Sequence, residues 1–398
     1  MRLLTMKNMY MLIATILFSL PFQGCLMLEQ DPDFYGGTNE ESEKNDSNTE
    51  NNDDSDTAIM CGARQCECTP QRIGAIEDFK PGGTLGGAVV AGGYLYTRTS
   101  ASTSSGEVNV IDLGTEEPEW IGGMKDFSTV YDIEIVGDTL LVLEDRSYGS
   151  DGSYLLFVEA THRTNLSLAY PNGTWDFGSS RQLKLVDDTT VMAIYGGSDG
   201  KFSNTFATDY TGQRWTADFS TLSNPQITDA ILEDSVITAI AGNKGAYIYA
   251  RFIDELPPVH ELRYRSNNPD ASVQWLEVDD PVVALEFDGE YAFAGFDRDE
   301  DNFAIYEISD DSSPKRIDSI TFDSNVTDIQ LSGNLAYLTT VGHEVHIVDI
   351  SSKTSIKPYG FLEPSGISVG IALDKVNPSE MYVVTPDGID IYTICEQP

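Results

Sequence analysis

Short alternating apolar segments divided by Gly, Asp, Asn and Ser turns, a self-similarity of about 45 residues, and a stray strand-like segment near residue 72 together predict an all-β fold. Its specific form is a seven-bladed β-propeller of four-stranded antiparallel blades, closed by an N-terminal strand that completes the last blade. Composition agrees with a packed domain: 40% of the 398 residues are hydrophobic and only 22% are charged. The formal net charge of -40 repels phosphate backbones and anionic headgroups, which excludes electrostatic binding of nucleic acid or of a membrane surface.

The chain opens with Arg2 and Lys7 and no acid, then an apolar run from Met9 to Leu20. That run is too short for a bilayer span of about 20 residues but has the length of a secretory h-region, so residues 1–24 read as a signal peptide. Leu20-Pro21-Phe22-Gln23-Gly24-Cys25 resembles a bacterial lipoprotein signal, in which a small residue precedes the Cys that is lipidated. The resemblance implies that Cys25 carries the lipid and that the mature chain sits at the bacterial outer membrane or cell surface, touching the membrane only through that anchor. Ordinary cleavage near Gly24 is the alternative. Residues 26–60 hold 11 acids and one Lys, a stretch too polar to bury a core, and read as a solvated tether.

The repeat is clearest where Val130-Tyr131-Asp132-Ile133-Glu134-Ile135-Val136-Gly137-Asp138 overlies Val326-Thr327-Asp328-Ile329-Gln330-Leu331-Ser332-Gly333-Asn334. Turn markers between the first and second strand of each unit fall at Gly92, Gly137, Asp187, Glu233, Gly289, Gly333 and Pro378. The sixth unit gives strands at Ile329–Leu331, Leu335–Thr339, Val345–Ile350 and Lys357–Leu362. The last unit ends after a third strand at 389–394, and Arg72–Ile76 resembles the fourth strands at Trp120–Met124 and Arg316–Ile320. Closing the ring with it removes an open sheet edge. Val345-His346-Ile347-Val348-Asp349-Ile350-Ser351 and Val108-Asn109-Val110-Ile111-Asp112-Leu113 resemble the third-strand signature of LVIVD-repeat β-propellers of bacterial exported proteins. Asn204–Thr208 and Tyr247–Arg251, taken as third strands of units three and four, depart from it. The family implies a fold and an extracytoplasmic setting, not an activity.

Besides Cys25, the chain has Cys61, Cys66, Cys68 and Cys395, an even number that points to disulfides in an exported protein. If the N-terminal strand pairs with the last strand, Cys66 or Cys68 faces Cys395. Cys68–Cys395 with Cys61–Cys66 is the expected pairing.

No residue set names a reaction, and no catalytic residue is assigned. Gly196-Gly197-Ser198-Asp199-Gly200 fits a nucleophile-elbow pattern but lies at a hairpin, where the required strand-to-helix turn is missing. His343 and His346 read as hairpin and strand residues, and positions three apart on a strand point to opposite faces, so the two cannot share one metal. Asp297, Asp299 and Asp301 alternate like a calcium loop, yet Asn302 and Ile308 stand where a Gly and a bidentate Glu are needed. Asp132, Asp229 and Asp328 occupy one repeat position, read as the start of the innermost strand in units two, four and six. Converging carboxylates suit a hard cation such as calcium. The competing reading is that this Asp belongs to the repeat and accepts backbone N–H groups. The expected function is a monomeric, non-catalytic binding module for protein or glycan at the loop face away from the tether, without a resident cofactor. The alternative is a metal-assisted hydrolase or lyase at the channel mouth.

Overall fold

The computed structural model describes residues 60–61, 64–65, 70–76, 84–100, 106–115, 117–127, 129–145, 153–168, 175–176, 179–187, 190–197, 209–216, 226–231, 236–253, 259–268, 270–298, 300–373 and 380–394. Two compact units divide the chain at Cys66. In the first, Met60–Cys61 pairs with Arg64–Gln65. In the second, every element among the described residues is a strand.

The strands of the second unit build antiparallel sheets in chain order. Sheet A spans 84–127, B 129–168, C 179–231, D 236–278, E 282–320 and F 326–362, each adding strands one to four in sequence. Sheet B carries Trp175–Asp176 as an extra partner of its third strand. Sheet G is different. It combines Gly370–Leu373, Glu380–Thr385 and Gly388–Thr393 with Arg72–Ile76 from the other end of the chain, Ile76 standing opposite Ile389. Each first strand lies beside the first strand of the next sheet, and that of G lies beside that of A. Their approach is close: a Cβ on Gly370 would come within 3.3 Å of the Gly87 Cα, which favours Gly at 370.

Strands form where apolar residues can cover both faces of a sheet, as in sheet F. In sheet F the second strand, Leu335–Thr340, is buried at every residue. Its two faces feed separate clusters, Ala336 and Leu338 with Phe293 and Ile305 of sheet E, Leu335 and Tyr337 with Ile371 and Val383 of sheet G. Such strands read as continuous apolar runs rather than strict alternation. Ile76, Leu85, Leu95, Ile111, Val384 and Ile389 form the corresponding cluster between G and A. Gly137 and Gly333 stand at φ 56° and 57° in the tight turns, a left-handed conformation that explains their recurrence.

Sheets C and D depart from the sequence expectation. The first strands of C, D and E begin at Ser179, Val236 and Val282, so the long repeat is C and not D. The extra residues fall between the second, third and fourth strands of C, at 198–208 and 217–225. Glu233 therefore follows the fourth strand of C, and the turn it was taken to mark lies at Lys244–Gly245. Tyr247–Arg251 belongs to a second strand, and the third strand of C is Asp209–Thr216 rather than Asn204–Thr208. A turn built on Lys244 at φ 48° lacks the Gly that marks this turn elsewhere at its first position, which hides it from a Gly count.

Candidate functional site

The repeat Asp sits one residue past a β-bulge in the first strand, between Val130 and Asp132 in sheet B and between Val326 and Asp328 in sheet F. A bulge re-aims a side chain. Here it directs the carboxylate back along the backbone and across to the next sheet. Asp132 Oδ1 accepts from Ile133 N at 3.0 Å and Oδ2 from Leu183 N of sheet C at 2.7 Å. Asp328 accepts from Ile329 N at 2.9 Å and from Ile371 N of sheet G. Asp318, on a fourth strand, repeats the device by accepting from Ser319 N and from Ile356 N of sheet F, both at 2.9 Å. These carboxylates tie consecutive sheets together. Asp229 is not their equivalent. Its backbone lies in Gln226–Ile231, the fourth strand of sheet C, opposite Arg214, because the repeat is longer than its sequence period suggests. Its side chain lies outside the described residues.

Cations that sequence reasoning passed over complete the centre. Lys184 Nζ of sheet C meets Glu286 Oε1 of sheet E at 2.6 Å, a bond between first strands of sheets that are not sequence neighbours. The two side chains keep 18% and 22% of their surface open, so solvent reaches them in a narrow space. Burial penalises the Lys184 ammonium, but Glu286, Asp328 and Glu134 outweigh it and raise its pKa above the ordinary lysine value. Asp328 is pushed up to about 6, chiefly by burial and further by Glu286, with Lys184 and the N–H bonds opposing. Burial likewise raises Asp132, against Arg98 first, then the Leu183 N–H and Lys184. Arg98 reaches from sheet A across Gly86 to donate to Val130 O at 3.2 Å, while its buried Nε has no hydrogen-bond partner among the described residues. A Cβ on Gly86 would lie 2.5 Å from the guanidinium, so that Gly makes the passage for it.

The result is two of the three expected carboxylates around a shared cation, Lys184, with Arg98 beside one of them. A signal for this was present. Ile133-Glu134-Ile135, Leu183-Lys184-Leu185, Leu285-Glu286-Phe287 and Ile329-Gln330-Leu331 place a polar residue between two apolar ones near the same point of the first strand. Reading signs of charge across those positions pairs Lys184 with Glu134 and Glu286. Among the described residues no group of three or more His, Cys, Asp or Glu could hold a metal.

Other sequence candidates are accounted for locally. Asp301, at φ 49°, binds Arg316 at 2.8 Å and Ser319 at 3.0 Å, and these bonds hold its carboxyl below the usual range. Asp297 accepts from Asn325, and Asp299 lies outside the described residues. His346 stacks on Phe322 with centroids 4.3 Å apart, and burial lowers its pKa to about 4. His343 is exposed in the turn before it. Ser198, Cys25, Cys66, Cys68 and Cys395 lie outside the described residues, as does the side chain of Cys61, so the lipid and disulfide expectations have no counterpart in them.

Residues 324–358, which cover the first three strands of sheet F and the start of the fourth, match the model of the LVIVD repeat. The chain carries an LVIVD repeat in that sheet. No curated protein matches its sequence. Among solved structures, the chain is similar to U3-55K at a TM-score of 0.57 and 11% identity, covering 82% of this chain and 100% of that one. It is also similar to the computationally designed Ika8 protein at a TM-score of 0.52 and 11% identity, covering 81% of this chain and 100% of that one. At such identity the likeness concerns the fold alone. In all, 1081 solved chains match, and a shape shared so widely carries no activity with it.

Proposed function

We propose that residues 67–398 form a closed seven-bladed propeller, exported and lipid-anchored through Cys25, that acts as a non-catalytic binding module for protein or glycan at the distal loop face. Support for the ring comes from sheet G, which takes Arg72–Ile76 as its fourth strand, and from the contact between the first strands of G and A. The observation that carries the binding reading is the engagement of the central polar groups. Asp132 and Asp328 are spent on backbone N–H groups of neighbouring sheets, and Lys184 is spent on Glu286. General acid–base or nucleophilic work needs a group free to reach a substrate atom, whereas these hold the scaffold. A rigid scaffold then presents variable loops, the usual place for recognition.

Site-specific photo-crosslinking on the intact envelope tests this. A crosslinker at Asp297 or Asp387, in the loops between second and third strands, should give partner adducts that one at Asp138 or Asn334, in the turns of the opposite end, does not. Adducts of equal yield from both ends would remove the distal face from the reading. For the anchor, Cys25→Ser should move the chain from the detergent phase to the soluble fraction; unchanged fractionation would remove the lipid.

A further inference from the structure

Opposite the distal loops, the turns between first and second strands of sheets D and E and those between third and fourth strands of D, E and F enclose an open groove of about 570 Å³. That lies within the ordinary range of small-ligand sites, roughly 300–1,000 Å³. We propose that this groove is a binding site for a neutral oligosaccharide, independent of whatever partner meets the distal face.

Its lining decides the ligand class. Ala246 is the one aliphatic residue in the wall and Tyr264 and Tyr291 add aromatic surface, so a purely aliphatic ligand would leave the many polar groups unmatched. Lys244 and Lys353 stand among Asp288, Glu290 and Asp310, and this mixture of signs disfavours a ligand of high charge of either kind. The strongly acidic chain adds a further repulsion against anions. What remains is a dense set of donors and acceptors with aromatic edges, the surface that a polyhydroxylated ring matches.

The polar groups are held in place before any ligand arrives. Asn243 Nδ2 donates to Phe287 O at 3.3 Å and Asn267 Nδ2 to Lys244 O at 3.4 Å, so each amide is fixed by a turn carbonyl. Tyr264 Oη donates to Asp310 Oδ1 at 2.8 Å. Lys353 reaches in from sheet F with its ammonium 5.6 Å from the Tyr291 ring centroid, 5.1 Å from that of Phe293 and 3.8 Å from Asp288 Oδ2. Burial lowers its pKa, with Asp288 and Asp349 opposing. Lys353 thus presents a partly desolvated donor whose position costs a ligand little ordering entropy.

The test uses the full chain on a printed array of neutral oligosaccharides with their sialylated counterparts, followed by calorimetry with the strongest neutral binder. Binding of a neutral glycan is expected. Lys353→Met, which keeps the packing over both rings, should weaken it by about ten-fold and Asn267→Ala by about five-fold, the loss of one or two hydrogen bonds each. Both variants should melt with the wild type, and Asp297→Ala in the distal hairpin should bind as the wild type does. The proposal is overturned if no neutral glycan binds, if only sialylated ones do, or if both groove variants keep the wild-type affinity within about two-fold. The last outcome would move the glycan to another surface.

Discussion

Carboxylates at two places in the domain meet opposite fates. Asp132 and Asp328, past the bulges of the first strands, have pKa values raised by burial, although each accepts two backbone N–H bonds. Asp301, in the hairpin at 297–302, is lowered by Arg316 and Ser319, and its carbonyl also receives a fork from Arg298 at 2.7 and 3.1 Å. One side chain type therefore does two jobs. At the centre it is a connector whose charge is a cost; in the hairpin it is a partner whose charge is the point. The difference lies in solvent: desolvation outweighs hydrogen bonding deep in the domain, and a guanidinium in contact outweighs desolvation near the surface.

The sharpest way to break this comparison is to remove a central carboxylate. Asp132→Ala leaves Leu183 N–H without its acceptor and Arg98 without its counter-charge. Stripping one member of a buried pair costs about 3–5 kcal/mol, and access of some solvent to this centre brings the expected loss to about 3 kcal/mol. Denaturant unfolding of the variant measures it directly. A loss below about 1 kcal/mol would mean that the Asp is not a connector. Next in size is Lys184→Met, which leaves Glu286, Asp328 and Glu134 facing one another. A loss of about 2 kcal/mol is expected, recovered in large part by the double change Lys184→Met with Glu286→Gln. Additive losses in that cycle would show that the 2.6 Å contact carries no coupling.

How much of this was legible differs along the chain. The last three strands of sheet F are legible to within a residue, since Gly333 marks the turn before them, whereas of the first, Val326–Ser332, only Ile329–Leu331 is. The N-terminal strand was placed at Arg72–Ile76 because an all-β repeat lacking one strand must find it elsewhere. Sheet C escaped, because its connections at 198–208 and 217–225 lengthen the repeat and carry no periodic signal. Asp229 was misplaced for the same reason, since a fourth strand and a first strand look alike when the period slips. At the centre, the role of Asp132 as a backbone acceptor was readable, but its partner Leu183 was not, because only the fold brings the neighbouring sheet alongside. Lys184 and Glu286 are 102 residues apart, so only the repeat position they share, and no local pattern, links them.

Similar in size to the Lys184 loss is the pH response of Asp328. Its folded pKa of about 6 lies above the ordinary 3.8, so the unfolded chain ionises first as pH rises. This group's contribution to stability is thus complete below about pH 4 and lost as pH climbs through about 6; 1.36 kcal/mol per unit gives about 3 kcal/mol, which partial access of solvent to Asp328 reduces to about 2 kcal/mol. Asp301 and Asp349, lowered by their partners, work in the other sense and lose their contribution only as pH falls below the ordinary carboxylate range. Comparing wild type with Asp328→Asn by urea unfolding at pH 4 and pH 6.5 separates the two kinds. The variant should gain on the wild type as pH rises through that window. Parallel curves would remove Asp328 as the source.

The smallest effect belongs to the hairpin and completes the contrast. Arg316 and Asp301 approach to 2.8 Å, but their side chains keep 34% and 48% of their surface in solvent. Exposed ion pairs of this kind contribute about 0.2–1 kcal/mol. In Arg316→Gln, Asp301 keeps Ser319 on its carboxylate, Thr321 on its N–H at 2.8 Å and Arg298 on its carbonyl. The backbone at φ 49° is therefore still held from three sides. A loss of about 0.5 kcal/mol is expected, shrinking further at about 1 M salt, where the screening length falls to about 3 Å. The Asp132→Ala loss should persist at that salt, because its bonds are buried and partly to neutral donors. If Arg316→Gln instead cost about as much as Asp132→Ala, the hairpin carboxylate would be a connector as well, and solvent access would not be what separates the two.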